Sequence, residues 1–227
     1  MQLVVPGLEY LDAYRAALET GWSPRTTRPE AAAGERQAIL RDPDAFVASL
    51  EDPDARGDDI ELPDGSFVKR LPSFRRWIWD GGFCGSIELR WQHGTDALPP
   101  TCSGHIGYTV VPWRRCEGLA TAALAVLLPE ARQIGLTAVD LTADPQNIAS
   151  IRVIEKNGGQ LVARRGKTPT HGDGEEFLFR ISLPPSQALR TNGAIVPGSG
   201  VAAATTDEPS IKPSCGQTTP PQSANYT

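Results

Sequence analysis

The sequence predicts an α/β domain, and a few stretches carry the prediction. An apolar strand at residues 105–111 runs through Pro112 into Arg115-Cys116-Glu117-Gly118-Leu119-Ala120 and on into a long apolar helix. Upstream, Asp80-Gly81-Gly82 is a tight-turn sequence between two strand-like runs, the signature of a hairpin. Around these, segments with helical apolar spacing alternate with short strands.

In chain order, residues 3–5 read as a first strand. Tyr10, Leu11, Tyr14 and Leu18 then lie on one helical face. Pro24 and Pro29 interrupt the chain before short helices at 35–40 and 44–50. Asp44 is the expected cap of the second, its carboxylate accepting from free N–H groups in the first turn. Strands are expected at 67–69, 75–79, 83–91 and 101–111. A helix follows at 119–134, and Gly135 is placed to end it in a left-handed conformation. A strand at 138–142, a helix at 147–157 capped by Asn147 and ended at Gly158-Gly159, and strands at 160–164 and 176–182 complete the domain. Residues 1–183 are read as one domain. From Pro184 the chain is rich in Pro, Ser, Thr, Gly and Ala, with Tyr226 its one aromatic residue; residues 184–227 are read as a disordered tail.

The chain has 227 residues, is 40% hydrophobic and carries a net charge of −5. That is enough apolar content for a core, and the acidic balance argues against general nucleic-acid binding. Cys84, Cys102, Cys116 and Cys215 have no metal-ligand spacing and are too sparse for a disulfide scaffold. Reduced thiols in a cytoplasm fit them best, and no metal is expected. The N-terminus lacks a basic region followed by an apolar run, so no signal peptide is read. No apolar stretch reaches the roughly 18 residues of a membrane-spanning helix.

A strand feeding a glycine turn at a helix start makes an anion site. The first-turn N–H groups have no partner within the helix, and the helix dipole adds positive potential. Gly118 lets a ligand approach without a Cβ in the way. The spacing excludes the common nucleotide loops. The one Gly-Lys-Thr, Gly166-Lys167-Thr168, sits in a late loop and lacks the upstream glycine of a phosphate loop, and Gly118 lacks the companion glycines of a dinucleotide fingerprint.

The remaining pattern, Arg115-x-x-Gly118-x-Ala120, resembles the coenzyme A loop of the GNAT superfamily of N-acetyltransferases. Downstream, Asn147-x-x-Ser150-x-x-x-x-Glu155-Lys156-x-Gly158 resembles that superfamily's second signature. The resemblance covers residues 74–182. It implies a mixed, mostly antiparallel twisted sheet with helices on both faces and splayed central strands that admit the pantetheine arm. It also implies an acetyl-CoA-dependent N-acetyltransferase acting on a primary amine. Carried over, Tyr108, Thr109 and Val110 form the strand edge for pantetheine and acetyl, with a backbone N–H near Val110 polarising the thioester carbonyl. Cys116, Glu117, Gly118, Leu119, Ala120 and Thr121 offer amides to the pyrophosphate, Arg114 and Arg115 add charge at its edge, and Asn147 contacts the cofactor arm.

The proton-transfer positions depart from the pattern. The helix position that often carries a donor Tyr is Ile154, and a frequent base position is Thr142. Ser150 is the candidate acid, or a first-turn residue bonding backbone. The base is open between Glu88, His105, Asp144 and water; Glu88 also fits a solvent-facing strand residue, and His105 a satisfied core histidine. Cys116, beside two arginines at a helix start, reads as incidental rather than nucleophilic. Trp77, Trp79, Trp91 and Trp113 fit an acceptor pocket or the core. The segment 42–64, with nine carboxylates and one arginine, fits an attractor for a cationic amine or a solvated loop. Two rival readings stand beside N-acetylation: another acyl-CoA acyltransferase on the same fold, and a non-catalytic acyl-CoA sensor. The acceptor and a homodimer are not fixed by the sequence.

Overall fold

The computed structural model describes residues 1–25, 29–62, 65–167 and 174–184. The tail expected at 184–227 lies, past its first residue, outside the described residues.

The elements run β1 (Gln2–Val4), α1 (Leu8–Glu19), α2 (Ala31–Arg41), α3 (Pro43–Ala48), β2 (Glu51–Asp52), β3 (Ile60–Glu61), β4 (Phe67–Val68), β5 (Ser73–Trp79), β6 (Phe83–Arg90), β7 (Ile106–Val110), α4 (Leu119–Gln133), β8 (Ala138–Ala143), α5 (Ile148–Lys156), β9 (Gln160–Gly166) and β10 (Glu175–Ser182). The main sheet has the order β1-β5-β6-β7, with β2 also on β5; a second has the order β8-β10-β9, and β3 and β4 form a separate pair. Every ladder among the described strands is antiparallel.

Helices cover both faces of the main sheet because its strands alternate. Trp77 and Phe83 pack with Tyr14 and Leu18 of α1 and Phe46 of α3. Ile78, Ile87 and Leu89 pack with Ala123, Leu124 and Leu127 of α4. Tyr14 stacks on Trp77 at 4.6 Å between ring centroids. The second sheet joins the α4 side through Val139, Leu141, Phe179 and Ile181. Trp77 and Trp91 are therefore core, whereas Trp113 is exposed.

Two local expectations shift for physical reasons. Asp42, not Asp44, caps α3: its carboxylate accepts from the Ala45 N–H at 2.9 Å. Pro43 occupies the first helical turn, where a missing N–H costs nothing, and this places the cap one residue before it. The strand expected from residue 101 begins only at Ile106, because the chain before it turns to meet β8.

That meeting point is the joint between the two larger sheets. The His105 N–H donates to the Asp140 carbonyl at 2.7 Å, and the Asp140 N–H donates to His105 Nδ1 at 2.9 Å. A Cβ on Gly104 would stand 2.9 Å from the Asp140 carbonyl oxygen, so glycine is what permits the approach. Away from the joint, no ladder connects β7 to β8. The splayed central pair expected of the fold is this pair.

His105 is completely buried, and with Nδ1 accepting, its proton sits on Nε2, which has no partner among the described residues. Burial, the largest effect, lowers its pKa against the raising influence of Asp140 and Asp96. A histidine held neutral in the folded state takes up a proton on unfolding. Its contribution is therefore complete above its unfolded pKa of about 6.5 and is lost as pH falls from there toward the lowered folded value. The melting temperature should drop between about pH 7.5 and about pH 5.5. The slope should flatten in His105→Asn, and an unchanged slope in calorimetry would contradict this.

Candidate functional site

β7 supplies one wall of the gap between the sheets. The Arg90 N–H donates to the His105 carbonyl and the Val111 N–H to the Cys84 carbonyl, each at 2.9 Å. In an antiparallel pair the bonded positions alternate. With Glu88 opposite Gly107 and Ser86 opposite Thr109, residues 107, 109 and 111 spend their backbone groups on β6. The N–H and C=O groups of Ile106, Tyr108 and Val110 consequently point the other way, into the gap. Thr109 differs from its neighbours: its backbone belongs to the β6 ladder, and its hydroxyl accepts from the Trp22 indole N–H at 3.2 Å on the opposite face.

Beyond β7, Pro112–Arg114 forms a single 3-10 turn, and the chain then passes through left-handed conformations at Cys116 (φ 63°) and Gly118 (φ 79°). Gly118 is the cap residue of α4, and among the described residues no atom beyond its chain neighbours and the helix's own backbone lies within 4 Å of where its Cβ would be. The turn thus leaves an open space ahead of the first-turn amides of Leu119, Ala120 and Thr121. Arg115 reaches back to the Val110 carbonyl at 3.4 Å. Arg114 is committed elsewhere: its guanidinium pairs with Asp80 and with Glu117, each at 2.8 Å, which also occupies the Glu117 side chain.

α5 closes the far side. The Asn147 carboxamide oxygen caps the helix by accepting from the Ser150 N–H at 3.0 Å, which leaves its NH2 group as the donor for a ligand. Asn157, at the other end of α5, donates to the Thr121 carbonyl at 3.2 Å and so ties α5 to the first turn of α4. Ile154 is fully buried against Gly159, which explains why that position carries no polar donor.

Ser150, the candidate acid, has a hydroxyl partner that the sequence reading did not pair with it. Tyr108 Oη lies 2.8 Å from Ser150 Oγ and also donates to the Ser150 carbonyl at 3.2 Å. Burial, partly offset by the Ser150 hydrogen bond, pushes the phenol pKa up to about 12, so it remains a proton donor. The signal was the strand alternation that sets Tyr108 on the same face as Ile106 and Val110, toward α5.

The candidate bases are placed less favourably. Glu88 lies within 4.0 Å of Arg25 and 3.5 Å of both Arg75 and Arg90. Burial raises its pKa, but the guanidiniums of Arg90, Arg75 and Arg25 outweigh burial and bring it to about 2. It is a counter-ion with little affinity for a proton. Asp144 accepts from the Gln146 N–H and pairs with Lys167, each at 2.9 Å, and those contacts lower its pKa. Thr142 carries no group able to take a proton. In the acidic segment the carboxylates are largely used within the chain: Asp52 accepts from the Arg56 and Gly57 N–H groups, Asp59 pairs with Lys69, and Glu51 pairs with Arg76. Among the described residues no group of His, Cys, Asp and Glu is arranged to hold a metal, and no helix is long and apolar enough to cross a membrane.

The family model of the acetyltransferase (GNAT) domain matches residues 25–160, more than half of the chain. The chain belongs to the GNAT acetyltransferase family. Among solved structures it is similar to the microcin C7 self-immunity acetyltransferase MccE, determined with acetyl-CoA and AMP, at 10% identity and a TM-score of 0.53, over 79% of this chain and 91% of that one. It is similar to RimL, the ribosomal L7/L12 alpha-N-protein acetyltransferase, determined with coenzyme A, at 11% identity and a TM-score of 0.52, over 80% and 93%. A probable acetyltransferase shares 17% identity at a TM-score of 0.51, over 79% and 91%. At these identities the likeness is one of fold. No curated protein matches the chain in sequence.

Proposed function

We propose that the protein is an acetyl-CoA-dependent N-acetyltransferase that moves the acetyl group to a primary amine by direct attack on the thioester. The observation that carries this is the gap itself. It is walled by inward-pointing backbone groups of Tyr108 and Val110 and leads to a glycine turn at the start of α4. Acetyl-CoA would supply the activated acyl group. The amides at the start of α4 and the side chain of Arg115 would hold its pyrophosphate, and Asn147 its pantetheine arm. The Val110 N–H is directed where a thioester carbonyl would need a donor, a contact that strengthens as charge builds on the oxygen.

In this reading the amine nitrogen forms a bond to the carbonyl carbon as the carbon–sulfur bond breaks, and the electron pair leaves on sulfur. Ser150 gives its proton to the departing thiolate and takes one from the Tyr108 phenol, and the surplus proton on the newly bonded nitrogen returns through water to Tyr108 Oη. Among the described residues the candidate bases are not suited to strip the ammonium: His105 is sealed in the joint, and Glu88 is held as a carboxylate by arginines. The proton therefore leaves to water, and the amine's own pKa governs the rate.

An acceptor screen reading release of free CoA thiol tests this. Turnover should be confined to amines, and kcat/KM should rise tenfold per pH unit up to the amine pKa. Tight acetyl-CoA binding with no thiol release from any acceptor would establish the sensor reading instead. Faster turnover with longer acyl chains would establish a different acyltransferase.

A further inference from the structure

On the face of the main sheet opposite α4 lies a pocket whose lining includes Arg25, Ser49, Arg70, Ser73, Arg75 and Glu88. Its charge is not balanced within its walls, since three guanidiniums face one carboxylate. Glu88 is already shared by Arg25, Arg75 and Arg90. Behind the pocket Arg75, only 5% exposed, is fixed by Glu35 at 3.0 Å and by the Tyr14 hydroxyl at 3.2 Å. Asp52, whose pKa Arg70 helps to lower, returns one negative charge at the edge, and the Arg70 Nε–H donates to the Asp58 carbonyl at 3.0 Å. Among the described residues a cationic surplus remains, on a preorganised floor of buried Arg75 and with Arg70 half exposed at the surface. Guanidinium groups suit oxyanions because their N–H donors match paired oxygens.

The pocket also lies beside the gap. Glu88 is directly opposite Gly107 on β7. The segment after α1 that delivers Arg25 is pinned to the same strand by the bond from Trp22 to Thr109. From Glu88 to the gap is one to two strand spacings, and from Ser73 and Arg75 on β5 two to three, about 5–15 Å in all.

We propose that this pocket binds an oxyanion of the acceptor, a carboxylate or a phosphate, and that the acceptor carries its amine a few bonds from that group. This rests on the acetyl-transfer reading above and names the substrate class for it. Of the two readings of the 42–64 segment, it favours the solvated loop over an attractor for a cationic acceptor. The negative side chains there are largely engaged within the chain, and the pocket beside them is basic.

The test uses the full chain and matched acceptors that differ only in the anion: amino acids against their amides, and phosphoethanolamine against ethanolamine. The anionic member of at least one pair should have a kcat/KM about tenfold or more higher, the size expected for one charge-assisted contact. Which pair responds tells carboxylate from phosphate. In Arg70→Gln that selectivity ratio should fall about tenfold. Arg25→Gln is the second variant, and melting temperatures confirm that both fold. Equal kcat/KM within every pair, or a ratio unchanged in both variants, would overturn the proposal while leaving acetyl transfer intact. A separate arm needs no turnover: inorganic phosphate, against chloride at equal ionic strength, should raise the melting temperature of the wild type more than that of Arg70→Gln. If that shift appears and no amine is acetylated, the oxyanion site holds and the transfer reading fails. If neither appears, both fail.

Discussion

Gly118→Trp is expected to abolish acetyl-CoA binding, raising Kd by more than about 100-fold, while the domain still folds. The space ahead of the α4 amides is open because residue 118 has no side chain, and among the described residues no atom beyond its chain neighbours and the helix backbone lies within 4 Å of the missing Cβ. A tryptophan there would fill the place where a pyrophosphate meets the first-turn N–H groups. Its Cβ meets no described core atom. Its structural cost is the left-handed backbone at φ 79°, about 1–3 kcal/mol for a non-glycine residue. Gly118→Ala separates the two effects, since it carries the backbone cost with little bulk and should lose far less affinity. Calorimetric titration together with a melting curve reads both. Unchanged affinity in the tryptophan variant would remove the α4 turn from the cofactor site.

The second large effect is expected from the Tyr108–Ser150 pair. Ser150→Ala should lower kcat about 100-fold, the lower end of what a positioned proton donor contributes, with acetyl-CoA affinity kept within about twofold. Tyr108→Phe keeps the ring packed and removes only the hydroxyl 2.8 Å from Ser150 Oγ, so it should lower kcat by about tenfold. Because one residue acts through the other, the double variant should be no slower than Ser150→Ala alone. Full multiplicative loss would mean that the hydroxyls act separately, and wild-type kcat in Ser150→Ala would end its role as the acid.

How much of this the sequence disclosed follows the range of the interactions. The turn before α4 was legible because a glycine cap and a helix start are local features, readable within six residues. The cap at Asn147 and the stop at Gly158 were legible for the same reason. The Tyr108–Ser150 contact joins residues 42 apart, and strand alternation gives only the face of Tyr108, not its partner. The arginine pocket is more distant still, assembled from Arg25, Arg70 and Arg75 on separate elements. His105 illustrates the reverse error. Its intrinsic pKa marked it as a base, but burial and the bond from the Asp140 N–H make it a joint. The acidic run at 42–64 left two readings open because composition counts charges without showing which are already paired.

The joint at His105 and Asp140 has a mechanical meaning. Two leaves bound along one short spine are stiff where they meet and compliant where they part. The inward amides of Tyr108 and Val110 lie on an edge that no strand covers, so they are where solvent deuterons should enter first along β7. A molecule lodged between the leaves would act as the absent rung of a ladder, and in bracing them it would turn a hinged pair into one rigid slab.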